Sequence, residues 1–171
     1  ASVRQRLASK TGFVGELSEG KYYRVISYYG RALIDTEAVG GDMRTQPIDA
    51  NDISQYWTLI KDGDKWKFEN VLTQRLLLKQ TTTSAPFHTT TKENATKFNL
   101  SVSSVVTQLP GDGWDYTWTI NFPDDSRGLH DSESQGHNVV LWSTNAAASV
   151  WQFQECEVSQ QAIDDARAKL S

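Results

Sequence analysis

Gln55-Tyr56-Trp57-Thr58-Leu59 has two counterparts further along the chain, Thr96-Lys97-Phe98-Asn99-Leu100 and Ser149-Val150-Trp151-Gln152-Phe153. Each is preceded by an opening of one kind: Tyr23-Arg24-Val25-Ile26-Ser27, Trp66-Lys67-Phe68-Glu69-Asn70 and Trp118-Thr119-Ile120-Asn121-Phe122. In every opening apolar and polar positions alternate, the period of a strand that buries one face. Opening and closing aromatics are 34, 32 and 33 residues apart (Tyr23 to Trp57, Trp66 to Phe98, Trp118 to Trp151). Between them lie a turn-like stretch and a short apolar run carrying Leu33, Leu76 and Leu77, or Leu129. Lengths and apolar positions stay in step, so the chain reads as three internal repeats, about 23–61, 66–102 and 118–155.

A β-rich unit of about 40 residues cannot bury a face alone, so the three must share one core. Three units are too few for a propeller, and the period is too long for a β-helix. Threefold closure predicts an all-β fold, a β-trefoil with six strands in a short barrel and six in hairpins that cap it. Tyr23, Trp66 and Trp118 are expected in one core layer and Val25, Phe68 and Ile120 in a second. Trp57, Phe98 and Trp151 are expected to close the hairpin side. Most of the six tryptophans thereby have structural work.

Composition sets the outer limits. The chain has 171 residues, 38% of them hydrophobic, with 17 Lys and Arg against 21 Asp and Glu for a net charge of −4. That is the mix of a folded domain large enough for a sizeable core. Slight acidity without a basic stripe argues against nucleic acid. No apolar run approaches the roughly 18 residues of a membrane helix, so no membrane insertion is expected. Cys156 is the sole cysteine, which excludes an internal disulfide and a multi-Cys zinc site.

Outside the repeats, residues 1–20 read as a lead-in tied loosely to a trefoil over 21–156. Residues 157–171 read as a helical linker towards an adjoining domain of a longer chain. Ser159 is a candidate N-cap, and Ala162, Ile163, Ala166 and Leu170 share one helical face.

The Gln55-x-Trp57 closure and the stretch Asn138-Val139-Val140-Leu141-Trp142 … Ser149-Val150-Trp151 resemble the ricin-B-type lectin trefoils, including carbohydrate-binding modules attached to secreted glycan-degrading enzymes. The resemblance covers about 20–155. It implies carbohydrate binding without chemistry of its own, a glycan or polysaccharide partner, no cofactor, and a secreted or cell-surface location. The family's sugar-gripping acid falls at Asp35 in the first repeat, Leu78 in the second and Asp131 in the third. Its stacking aromatic falls at Trp142 in the third repeat and at Phe87 in the second. No repeat carries the whole constellation, and in the third Asn138, Asn145, His130 and His137 are the available polar replacements.

These residue types suit a sugar. An aromatic face covers the C–H patch of a pyranose, and a carboxylate accepts two neighbouring hydroxyls as charge-assisted hydrogen bonds. The reading therefore expects a shallow site of Asp131 and Trp142, with 132–137 as rim and Asn138, Asn145 and His130 beside it. Asp35 is a further candidate. Against this, Asp131 and Asp35 have the bland reading of acids that order turns, and Trp142 that of a residue covered by 145–148.

Catalytic alternatives find little footing. The histidines lack His-Glu-x-x-His spacing, there is no Gly-x-Ser-x-Gly elbow, and Asp49, Asn51 and Asp52 lack the Gly and terminal Glu of a calcium loop. No catalytic or metal residue is expected. The rival reading is a structural spacer or protein-interaction trefoil with a degenerate sugar site.

Overall fold

The computed structural model describes residues 13–36, 41–103, 109, 113–123 and 125–170. Four strands come from each repeat: β1 (Tyr22–Ser27), β2 (Arg31–Ile34), β3 (Arg44–Pro47) and β4 (Trp57–Asp62) from the first. The second gives β5 (Lys65–Asn70), β6 (Leu76–Leu78), β7 (His88–Thr90) and β8 (Asn99–Val102). The third gives β9 (Trp118–Asn121), β10 (Arg127–Ser132), β11 (Asn138–Ser143) and β12 (Trp151–Cys156). Pairing runs β12-β9-β10-β11-β3-β2-β1 and returns to β12, so these strands close into a ring.

The repeats pair alike. Tyr23 pairs with Trp57, Trp66 with Phe98 and Trp118 with Trp151, one opening-to-closing bridge per repeat. Leu33, Leu77 and Leu129 are all fully buried. The Trp57 and Trp151 indoles donate to the Leu33 and Leu129 carbonyls, each at 2.9 Å. Phe98 has no such donor, and the Leu77 carbonyl is met instead by the Thr96 backbone N–H at 3.3 Å.

Where the hairpins converge, three buried residues form a cycle. Met43 N–H donates to the Phe87 carbonyl, Phe87 N–H to Val139 and Val139 N–H to Met43, at 2.9, 2.8 and 2.9 Å. Each repeat contributes one donor and one acceptor, and no backbone group in the cycle is left unpaired.

Of the expected layers, Val25, Phe68 and Ile120 are buried, as are Trp57, Phe98 and Trp151. In the first layer only Tyr23 is buried; Trp66 and Trp118 are half-buried against the core, and Lys61 lies over the Trp66 ring. The lead-in closes over part of this end. Val14 N–H donates to the Phe153 carbonyl at 2.9 Å, Val14 and Leu17 pack on the core, and Ser18 N–H reaches the Tyr23 hydroxyl at 3.0 Å. The described part, 13–20, is thus fastened more firmly than its composition suggested; residues 1–12 lie outside the described range.

One α-helix follows, α1 (Gln160–Ala168). Ser159 caps it, accepting from Ala162 N–H at 3.1 Å. Ile163 is buried among Ile53, Tyr56, Val71 and Leu72, and Arg167 donates twice to the Val71 carbonyl at 2.9 and 2.7 Å. The helix therefore lies against the first two repeats rather than standing free of them.

Candidate functional site

The β10–β11 hairpin pairs Gly128 with Trp142, His130 with Val140, Asp131 with Val139 and Ser132 with Asn138. Side chains of paired residues leave the same face of a sheet, and successive residues alternate. Gly128, His130, Val140, Trp142 and Asn138 thus share one face, while Leu129, Asp131, Val139 and Leu141 share the other. Trp142 is 41% exposed and Asp131 0% exposed, while Val140, on the same face as Trp142, is 2% exposed, so that face is open at Trp142 and covered at Val140. The expected pocket of Asp131 with Trp142 does not form, because eleven positions across this register put the two on opposite faces.

Asp131 is instead spent within the fold. Its Oδ2 accepts from the Thr45 hydroxyl at 2.8 Å, and its Oδ1 lies 2.8 Å from His137 Nδ1. Arg31 donates to Thr45 Oγ1 at 3.0 Å and to the Thr45 carbonyl at 2.9 Å. An acid of the third repeat is thereby tied to a threonine and an arginine of the first. Asp35 repeats this at the next junction. It is 2% exposed and accepts from Thr89 Oγ1 at 2.9 Å and from the Thr73 hydroxyl. Arg75 holds Thr89 as Arg31 holds Thr45, at 3.0 Å to the hydroxyl and 2.6 Å to the carbonyl. Burial pushes the Asp35 carboxyl above its ordinary pKa, while the hydrogen bonds of Thr73 and Thr89 pull the other way.

Counting from Leu33, Leu77 and Leu129, the second-repeat counterpart of these acids is Lys79, one residue past the expected Leu78, and the threonine counterpart is Leu141. The third junction thus lacks the acid-to-threonine tie. There Arg127 forms a fork pair with Asp125, at 2.9 and 2.6 Å, and reaches Thr83 Oγ1 at 2.7 Å. Counterparts of Trp142 in the same register are Gln46 and Thr90. Phe87 is not a surface aromatic: it is fully buried in the three-membered cycle.

What stands on the outer face is Trp142 with His130. Their ring centroids are 6.2 Å apart with planes at 46°. Gly128, opposite Trp142, has no room for a side chain, since a Cβ there would sit 2.2 Å from the Ile120 carbonyl oxygen. Asn138 lies on this face at the far end of β11, half-buried, and Asn145 is exposed in the turn after β11, its N–H donating to Ser143 Oγ at 3.2 Å. The structure brings together Trp142 and His130. It does not bring Asp131 or Asp35 to them.

Other candidates have local work. Gln55 donates to the Pro47 carbonyl at 2.9 Å and accepts from Asp49 N–H at 3.0 Å, so it braces its own loop. Asp49 and Asp52 accept from nearby backbone N–H groups at 3.0 Å each. Among the described residues no group of three or more His, Cys, Asp or Glu is placed to hold a metal ion, and no helix is long and apolar enough to cross a membrane.

Neither a protein-family model nor a curated relative matches the sequence. Solved structures do match in fold. A ricin B-like lectin of Macrolepiota procera, in complex with lactose, is 13% identical with a TM-score of 0.68, over 82% of this chain and 99% of that one. A designed protein of threefold symmetry is 17% identical with a TM-score of 0.62, over 79% and 99% of the two chains. A Clostridium perfringens endo-β-galactosidase is 16% identical with a TM-score of 0.61, over 81% of this chain but 33% of the enzyme.

Proposed function

We propose that this chain, whose fold resembles that of the ricin-B-type β-trefoil lectins, is a β-trefoil of three repeats that binds carbohydrate without catalysis. The outer face of β10–β11 is its glycan platform. One observation carries the reading: Trp142 stands 41% exposed beside an imidazole, on a hairpin whose inner face is wholly buried. Leaving so large an apolar ring in water forgoes burial worth about 1.5–3 kcal/mol, and a pyranose C–H face is a partner that recovers part of it. His130 at the ring's edge offers a polar group to a hydroxyl, with Asn145 in the adjoining turn as rim.

Asp131 and Asp35 act in this reading as inter-repeat ties and do not touch ligand directly. One shallow platform binds weakly, about −4 kcal/mol at millimolar affinity. Repetition along a polymer, or attachment to a glycan-active domain, raises retention through effective concentration. The similarity to a third of an endo-β-galactosidase supports such an attachment; a secreted or cell-surface location is part of the proposal. A second reading, a spacer or protein-interaction trefoil, draws on the two acids committed to holding repeats together. A multivalent glycan array on the chain and on Trp142→Ala separates the two: binding that needs Trp142 supports the platform, and a blank array with folded protein supports the spacer.

A further inference from the structure

Ser149 occupies the position that Gln55 holds in the first repeat, two residues before the closing tryptophan. Its hydroxyl donates to the Ser143 carbonyl at 2.7 Å and lies 2.9 Å from His130 Nδ1. A serine hydroxyl has one proton. With that proton committed to Ser143, Ser149 Oγ meets His130 only as an acceptor, so Nδ1 carries the imidazole hydrogen. The other nitrogen, Nε2, then carries a lone pair, on a ring whose centroid lies 6.2 Å from that of Trp142, without a protein partner among the hydrogen bonds of the described residues.

Resting on the carbohydrate reading above, we propose that His130 Nε2 is the acceptor for a ligand hydroxyl at the Trp142 platform, replacing the carboxylate that Asp131 withdraws into the core. Ser149 is the positioning residue that fixes its tautomer. The ligand class follows. It is an uncharged saccharide offering an apolar ring face and, at its edge, one hydroxyl as donor. Protonation of His130 turns the acceptor into a donor and abolishes that recognition.

Burial holds the His130 pKa below its ordinary 6.5, with the negative charge of Asp131 acting in the opposite direction. Its cross-strand partner Val140, the Trp142 ring and the Ser149 hydroxyl do not titrate. The imidazole is therefore neutral at pH 7, and binding weakens on acidification below that lowered value, by up to about tenfold per pH unit while the fold persists.

The test has a ligand-free arm and a ligand arm. Long-range 1H–15N spectra of the whole chain at pH 7.5 are expected to show His130 as the Nδ1–H tautomer, and Ser149→Ala to admit the Nε2–H form; an Nε2–H tautomer in the wild type overturns the proposal. Affinity is then measured between pH 7.5 and 5 for the strongest glycan on a multivalent array. His130→Phe, which keeps an aromatic ring but no acceptor, is expected to weaken that glycan about three- to tenfold and to remove the acid limb of the profile. Binding lost in Trp142→Ala but indifferent to pH and to His130→Phe refutes the role of His130 and leaves the platform standing. A blank array, or binding indifferent to Trp142→Ala, refutes the platform and the proposal with it.

Discussion

At the residue scale, the same acid type in one sequence position does different work depending on which face of a strand it leaves. Asp131 looks like a ligand group because it is an acid near a loop and a tryptophan. The pairing of Gly128 with Trp142 and of Asp131 with Val139 sends it inward. Removing it leaves the buried Thr45 hydroxyl and the half-buried His137 Nδ1 without their acceptor. Asp131→Ala is accordingly expected to destabilise the fold by about 1–3 kcal/mol, read from urea unfolding monitored by tryptophan fluorescence. An unchanged midpoint would show that the inter-repeat tie contributes nothing. Parity of this kind was not legible in advance, because it depends on which residues pair across the hairpin. The exposure of Trp142 was legible only as one of two readings, since a tryptophan at that spacing serves equally as core.

At the scale of elements, the repeat and its closing aromatics were readable directly. The spacing of Tyr23, Trp57, Trp66, Phe98, Trp118 and Trp151 marked the repeat, but not that each opening aromatic pairs directly with its closing one. The sequence reading puts them apart, the openings in a core layer and the closings on the hairpin side. Trp66 and Trp118 are less buried than expected: both pack against the margin of the core, whereas Tyr23 lies within it. The helix was readable too, from its cap and apolar face, but its docking was not. No local pattern announces that Ile163 meets Tyr56 and Leu72. Ile163→Ala is expected to cost about 2–4 kcal/mol and to make the segment after Cys156 sensitive to limited proteolysis. Glycan binding is expected to stay unchanged, because α1 packs on the first two repeats and the platform is on the third. Protease resistance equal to wild type would show that the helix is held by something other than this contact.

For the whole molecule, half-buried His130 and buried Asp35 shape stability against pH in opposite directions. His130 has a lowered pKa, so the unfolded chain takes up its proton near pH 6.5 while the folded chain does not. Stability is therefore lost as pH falls from about 6.5 towards the folded value. Asp35 has a raised pKa, so the folded chain binds its proton first, and acidification towards 3.8 recovers the cost of its buried charge. Thermal midpoints between pH 7.5 and 5 are expected to decline for the wild type and to decline less for His130→Phe. Equal slopes would show that His130 does not control the acid limb. The threefold architecture explains how both effects coexist with one intact core: the Met43, Phe87 and Val139 cycle holds the hairpins together through backbone bonds that no titration touches.

The central claim is that Trp142 is a platform for carbohydrate rather than an incidentally exposed ring. A multivalent glycan array on the whole chain, run beside Trp142→Ala whose fold is checked by near-ultraviolet circular dichroism, tests it most directly. Glycan binding by the wild type is expected, with its loss in a variant that stays folded with stability within about 1 kcal/mol, since partly exposed positions away from the core tolerate substitution. Glycan binding that persists in Trp142→Ala, or a folded wild type that binds no glycan in multivalent display, would contradict it.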